Sequence, residues 1–350
     1  MLTGVFLGLL SCTTWSPEPA PRDSATARSA SEPAAVLQHR PLDPTSVTVE
    51  AEAITIESSW LLDVYTAFHS RAYTARRISF SSAARRSDAT QDRVVAHWLV
   101  PSGGGPRSRT TVLVFPILAG SHVVSEALAK ALVNRGFSVV RLERKPLQFE
   151  TAESPTVLAD AFAESIRDAR QLLDWLVVQP EVDASRIGVA GISLGGILAS
   201  LLHAVDPRVR AGFFVMAGGG LAEIIHDSAE RPIRVFRDQM RGRLDDPSRD
   251  DFLAWIRPYT EPVDPLRYAG RIRPESVLLT TARFDRVIPA ERSEALWEAL
   301  GRPRWTRVPV GHYQGIAFLW WVVSRGADHF DATLSDRNHG LDAAKTRFSP

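Results

Sequence analysis

The chain has 350 residues, 45% hydrophobic and 23% charged, enough for one large α/β domain or two small ones with an ample core. Its 41 basic and 40 acidic residues leave a formal net charge of +1, so no global field argues for nucleic acid as a partner. A single cysteine, Cys12, excludes an internal disulfide framework.

Residues Met1–Ser11 are apolar and small, and Leu9-Leu10-Ser11-Cys12 resembles the lipobox of bacterial lipoproteins. That resemblance implies lipidation of Cys12, membrane contact only through that anchor, and a place in the bacterial cell envelope, periplasmic or on the outer membrane. An ordinary signal-peptide end is the alternative. The segment has no Lys or Arg and is short for a signal peptide, which a start upstream of Met1 explains. Residues 13–45, rich in Pro, Ser, Ala and Thr, read as a disordered tether, and residues 46–350 as the folded domain.

Within that domain, Ser46–Glu50 and Ala53–Ile56 alternate like an extended start, and Trp60–Phe68 reads as a helix. Arg77–Ser82 and Arg93–Val100 predict an antiparallel strand pair. The glycine-rich loop from Pro101 to Arg109 lacks the Gly-Lys-Ser/Thr ending of a phosphate-binding loop. From Val112 the pattern alternates strictly. Strands are predicted at Val112–Phe115, Phe137–Leu142, Arg186–Ala190, Val209–Met216, Ser276–Thr281 and Arg304–Val310. Between them run helices marked by Val124, Leu128 and Leu132, by Leu158 through Val177, by Ile197–Leu202 and by Ala290–Leu300. A last helix begins near Tyr313, with Trp320 and Trp321 expected in the core. Its apolar stretch, Ile316–Val323, is too short to cross a bilayer. Residues 221–265 mix charge runs with isolated apolar residues and read as a small insertion after the sixth strand, packed over the sheet. The expected architecture is α/β, a mostly parallel sheet with helices on both faces.

The chemistry gathers at strand ends. Gly191-Ile192-Ser193-Leu194-Gly195-Gly196 lies between a β-branched run and an apolar helix, so Ser193 sits on a tight turn between strand and helix. G-x-S-x-G alone is moderate evidence. A serine nucleophile needs a base to take its proton and an acid to hold that base in the right tautomer. Asp285 falls just past one later strand and His312 just past the next, the edge where the sites of parallel sheets collect. The order Ser, Asp, His is that of α/β-hydrolases.

On Gly191–Gly196, Phe284-Asp285-Arg286-Val287-Ile288-Pro289 and Gly311-His312, the chain from about Arg77 to Phe330 resembles an α/β-hydrolase of the dienelactone-hydrolase-like, serine esterase branch. Dienelactone hydrolases proper carry cysteine where this chain has Ser193. The resemblance implies that Ser193 attacks a carbonyl, His312 shuttles the proton and Asp285 orients His312. The Leu194 N–H is the expected first oxyanion donor. The second is expected from the loop after Val112–Phe115, where many family members have His-Gly and this chain has Pro116-Ile117. Pro116 has no N–H, so Ile117 or Leu118 must serve.

Each role has a rival. Asp264 is a second candidate acid, His329 and His339 are candidate bases, and His122 stands close after the oxyanion loop. No His, Cys or acidic cluster has metal-ligand spacing, so neither metal nor other cofactor is expected. The reading is a serine hydrolase cleaving a small carboxylic ester through an acyl-enzyme. A peptidase or acyltransferase on the same triad is the first alternative, and a catalytically idle binding module the second.

Overall fold

A computed structural model describes residues 32–52, 72–83, 92–104, 109–118, 123–145 and 152–335. Cys12, the predicted helix at Trp60–Phe68, His122 and His339 lie outside the described residues. The strands are β1 (Thr48–Glu52), β2 (Tyr73–Ser81), β3 (Arg93–Pro101), β4 (Thr111–Phe115), β5 (Ser138–Leu142), β6 (Ile187–Ile192), β7 (Val209–Val215), β8 (Val277–Ala282) and β9 (Arg304–Val308). They form one sheet in the order β1-β2-β3-β5-β4-β6-β7-β8-β9. The β1–β2, β2–β3 and β3–β5 pairs are antiparallel, and every pair from β5 to β9 is parallel.

Burial explains the sequence texture of the strands. Every residue of β4, β5, β6 and β8 is buried, as central parallel strands must be when helices cover both faces. Successive side chains then point to opposite layers. Phe213 of β7 packs with helices α1 (Val123–Asn134) and α9 (Leu319–Leu334). Its neighbour Phe214 packs on the other face with α2 (Val157–Leu176), α3 (Leu194–Val205) and α8 (Ala290–Ala299). Trp320 departs from expectation: it is 61% exposed, while Trp321 packs against the core. No helix among the described residues is long and apolar enough to cross a membrane.

The predicted insertion folds as four helices, α4 (Leu221–Asp227), α5 (Arg231–Arg241), α6 (Arg249–Thr260) and α7 (Pro265–Tyr268). It follows β7, one strand later in the count than expected, because β1 joins the sheet. Phe236, Met240, Phe252 and Ile256 bury completely, which accounts for apolar residues scattered among charges. The helix α6 starts on a capping box, with Ser248 and Asp251 each accepting from the other's backbone N–H.

The expected tether boundary at residue 45 is corrected by the structure. Residues 34–42 lie along α2, with Leu37 fully buried in the core. Asp174 accepts from the Leu42 N–H at 3.0 Å and pairs with His39. Arg170 donates to the Leu37 carbonyl, and the Ala34 N–H donates to Tyr268 Oη. A Pro-, Ala- and Ser-rich composition hides this, because Leu37, with Val36 and Leu42 packed beside it, and a few backbone hydrogen bonds suffice to anchor the segment.

Candidate active site

Ser193 occupies the single residue between β6 and α3, with φ 58° and ψ −123°. That backbone region is sparsely populated by residues with a Cβ and costs on the order of 1–3 kcal/mol. The surroundings hold it there: the Ser193 N–H donates to the Val215 carbonyl at 2.8 Å, and the Ser193 carbonyl accepts from Gly196 and Ile197. The turn closes only because two neighbours are glycine. A Cβ on Gly191 would lie 2.1 Å from the Gly195 carbonyl oxygen, and one on Gly195 would lie 2.7 Å from that of Phe115. The second contact presses the start of α3 against the exit of β4, and Ile117 and Leu118 thereby line the same cavity as Ser193 and Leu194.

His312 stands just past β9, its Nε2 3.0 Å from Ser193 Oγ and its Nδ1 2.7 Å from Asp285 Oδ2. Asp285 stands just past β8, with its side chain 1% exposed. Its other oxygen, Oδ1, accepts from the N–H groups of Val287 at 2.8 Å and Ile288 at 2.9 Å. A buried carboxylate is tolerable only when its lone pairs are met in this way. Two of those donors come from its own turn and one from the imidazole, so the carboxylate fixes the ring's orientation. The structure therefore brings Ser193, Asp285 and His312 together from three strand ends. Pro116 offers no N–H to this edge, whereas the Leu194 N–H opens α3 with no carbonyl one turn back to accept it.

The described rivals have other duties. Asp264 accepts from the N–H groups of Gly220, Leu221 and Leu266 and so ties both ends of the helical insertion together. His329 is buried on the far side of the sheet, bonded to Arg304 and to the Ser276 carbonyl.

The cavity at Ser193 encloses about 160 Å³ and is walled almost entirely by aliphatic side chains, among them Ile117, Leu158, Ile197, Leu221, Ile224 and Val322. A dry apolar cavity of about 150 Å³ holds a benzene ring, so this space suits a short acyl or alkyl group. Three wall residues escaped the sequence reading. Met216 follows β7 with φ 50°, Tyr313 follows His312, and Glu230 belongs to the insertion. Tyr313 alone carried a signal, its adjacency to a candidate base.

Residues 160–348, more than half of the chain, match the prolyl oligopeptidase family, peptidase family S9, and the chain belongs to that family. Two uncharacterized proteins of Mycobacterium tuberculosis, from strains CDC 1551 and H37Rv, are each 25% identical over 186 residues. That alignment covers 53% of this chain and 40% of theirs, so the chain spans well under two thirds of the curated relatives it matches. An acetyl xylan esterase from Paenibacillus sp. R4 superposes with a TM-score of 0.58 at 16% identity, over 81% of this chain and 89% of that one. An acylaminoacyl peptidase from Pyrococcus horikoshii superposes with a TM-score of 0.54 at 14% identity, over 78% of this chain and 44% of that one. These two likenesses establish the α/β-hydrolase fold. Family and fold agree with each other, where the sequence resemblance pointed to the dienelactone-hydrolase-like branch.

Proposed function

We propose that this member of the prolyl oligopeptidase family hydrolyses small carboxylic esters through an acyl-enzyme on Ser193. The observation that carries the reading is the unbroken chain Ser193 Oγ, His312 Nε2, His312 Nδ1, Asp285 Oδ2, with links of 3.0 and 2.7 Å. His312 takes the Ser193 proton as Oγ adds to the carbonyl carbon, then delivers it to the leaving oxygen. Asp285 holds the ring in the tautomer that leaves Nε2 free to accept and offsets the positive charge formed on it. The Leu194 N–H, with Ile117 or Leu118, receives the oxyanion. Water then repeats the cycle to release the acid. The small aliphatic cavity supports a short acyl group.

Family membership favours a second reading, a peptidase on the same triad. The two separate on one assay set. A fluorophosphonate probe should label the wild type and not Ser193→Ala, and p-nitrophenyl acetate through butyrate should turn over. Efficient cleavage of aminoacyl p-nitroanilides with no ester turnover supports the peptidase reading instead. No labelling and no turnover of either set leaves the idle binding module.

The Leu9–Cys12 pattern supports a cell-envelope location through a lipid on Cys12. In that case Cys12→Ala shifts the protein into the soluble fraction. Unchanged fractionation removes the anchor from the reading.

A further inference from the structure

The catalytic cavity contains a carboxylate that the triad does not use. Glu230 is 9% exposed and precedes α5, where the helix N-terminus favours negative charge, yet its side chain makes no capping bond. Its Oε2 accepts instead from Tyr313 Oη, so the carboxylate is tied to the residue next to His312. No Lys, Arg or His pairs with Glu230 among the described residues, and the surrounding wall is aliphatic. Its backbone is fixed: the Glu230 N–H donates to Ser228 Oγ at 3.1 Å, and Ser228 Oγ donates to the Val287 carbonyl at 2.7 Å. Although the Tyr313 ring is exposed on its outer flank, loss of water at the hydroxyl and the adjoining carboxylate push it up to about 12. Tyr313 is thus the donor and Glu230 the acceptor. The carboxylate thus lines the cavity with one hydrogen-bonded partner and no cationic side chain paired to it, so a ligand that brings a cation supplies the missing counter-charge.

We propose that Glu230 is a recognition group for a cationic nitrogen, so that the preferred substrates carry a primary ammonium on the portion that fills the cavity. This rests on the hydrolase reading for the word substrate, but the subsite itself can be measured without turnover. Purified full-length protein is titrated with n-butylammonium, 1-butanol and butyrate, followed by NMR line broadening. Butylammonium is expected to bind about tenfold more tightly than 1-butanol, the yield of one charge-assisted hydrogen bond, with butyrate weakest. In Glu230→Gln the ammonium advantage should fall to about onefold. Tyr313→Phe leaves the carboxylate in place and should keep or enlarge the advantage, which guards against Glu230→Gln failing to fold. Equal binding of butylammonium and 1-butanol by the wild type overturns the proposal, as does an advantage that survives Glu230→Gln or vanishes in Tyr313→Phe. Turnover of p-nitrophenyl butyrate is measured on the same preparation. Ammonium preference without ester turnover sinks the ester-hydrolase reading and leaves the subsite, whereas turnover without preference sinks the subsite alone.

Discussion

Two buried histidine sites sit on opposite edges of the same parallel sheet and behave in opposite ways. At the C-terminal edge, His312 has a carboxylate on Nδ1 and a hydroxyl on Nε2. At the N-terminal edge, His329 has the Arg304 guanidinium on Nδ1 and the Ser276 carbonyl on Nε2, and His203 stands beside Ser276 with its ring edge-on to Phe214. Burial first, then the neighbouring Arg304 charge, pull His329 down to about 4. Burial first, then His329 itself, pull His203 down to about 3. Both rings are neutral at physiological pH. A carboxylate at Nδ1 equips a ring to gain a proton during a reaction, and a guanidinium there prevents it. Residue type alone does not distinguish the two sites; the partner at Nδ1 does.

The contrast breaks first at the histidines themselves. His312→Ala should lower kcat for ester hydrolysis by about 10⁴-fold or more, as removal of one triad member does elsewhere. His329→Gln should leave kcat/KM within a few fold while lowering the melting temperature. A rate indifferent to His312→Ala, or one abolished by His329→Gln in folded protein, reverses the assignment of the two edges. Next in size is Gly195→Ala. Its Cβ would meet the Phe115 and Pro116 carbonyl oxygens at 2.7 and 2.8 Å, which are backbone atoms that cannot turn aside. The loop carrying Ile117 and Leu118 must then retreat, and loss of one oxyanion donor costs about 10²–10³ in kcat. Circular dichroism should show the fold intact. Asp264→Asn tests the other acid: an amide cannot accept as well from three backbone N–H groups, so about 1–3 kcal/mol of stability is lost with the triad geometry untouched.

The same contrast accounts for what could be read from the sequence. Ser193, Asp285 and His312 were legible because each follows a strongly β-patterned run, and a parallel sheet brings all such ends to one edge. The strands were legible too, since full burial leaves runs such as Val112–Phe115 with no polar interruption. The insertion resisted. Its helices bury Ile233, Phe236 and Met240, then Phe252 and Ile256, at helical spacing, but each run offers only two or three apolar residues among many charges, so the period is short and easily overlooked. Nothing in the pattern of that stretch singles out Glu230. Its role depends on a contact with Tyr313, 83 positions away. Leu37 was missed for a similar reason: the short apolar pair Val36-Leu37 in a Pro- and Ser-rich stretch gives no pattern until α2 is there to receive it.

The mildest consequence of the second histidine site is an acid sensitivity of the fold. In the unfolded chain both rings take up a proton near their ordinary value of 6.5, whereas the folded protein resists it down to about 4 at His329 and about 3 at His203. The unfolded state therefore binds more protons in this range, and stability falls as pH falls. The contribution is complete above pH 6.5 and is lost progressively down to about 4 and then 3. Each tenfold loss of proton affinity on folding is worth about 1.4 kcal/mol, so at pH 4 the two rings together cost the protein a few kcal/mol. Carboxylates held low chiefly by arginines, such as Asp206 beside Arg208, begin to lose their contribution only from about pH 5 downward, so the fall between pH 7.5 and 5 belongs to the histidines. Melting temperatures between pH 7.5 and 4 should decline in the wild type. The decline should flatten in His203→Gln/His329→Gln even though that variant starts less stable at pH 7.5. Parallel curves for the two proteins would assign the acid sensitivity to other groups and leave His203 and His329 as packing residues only.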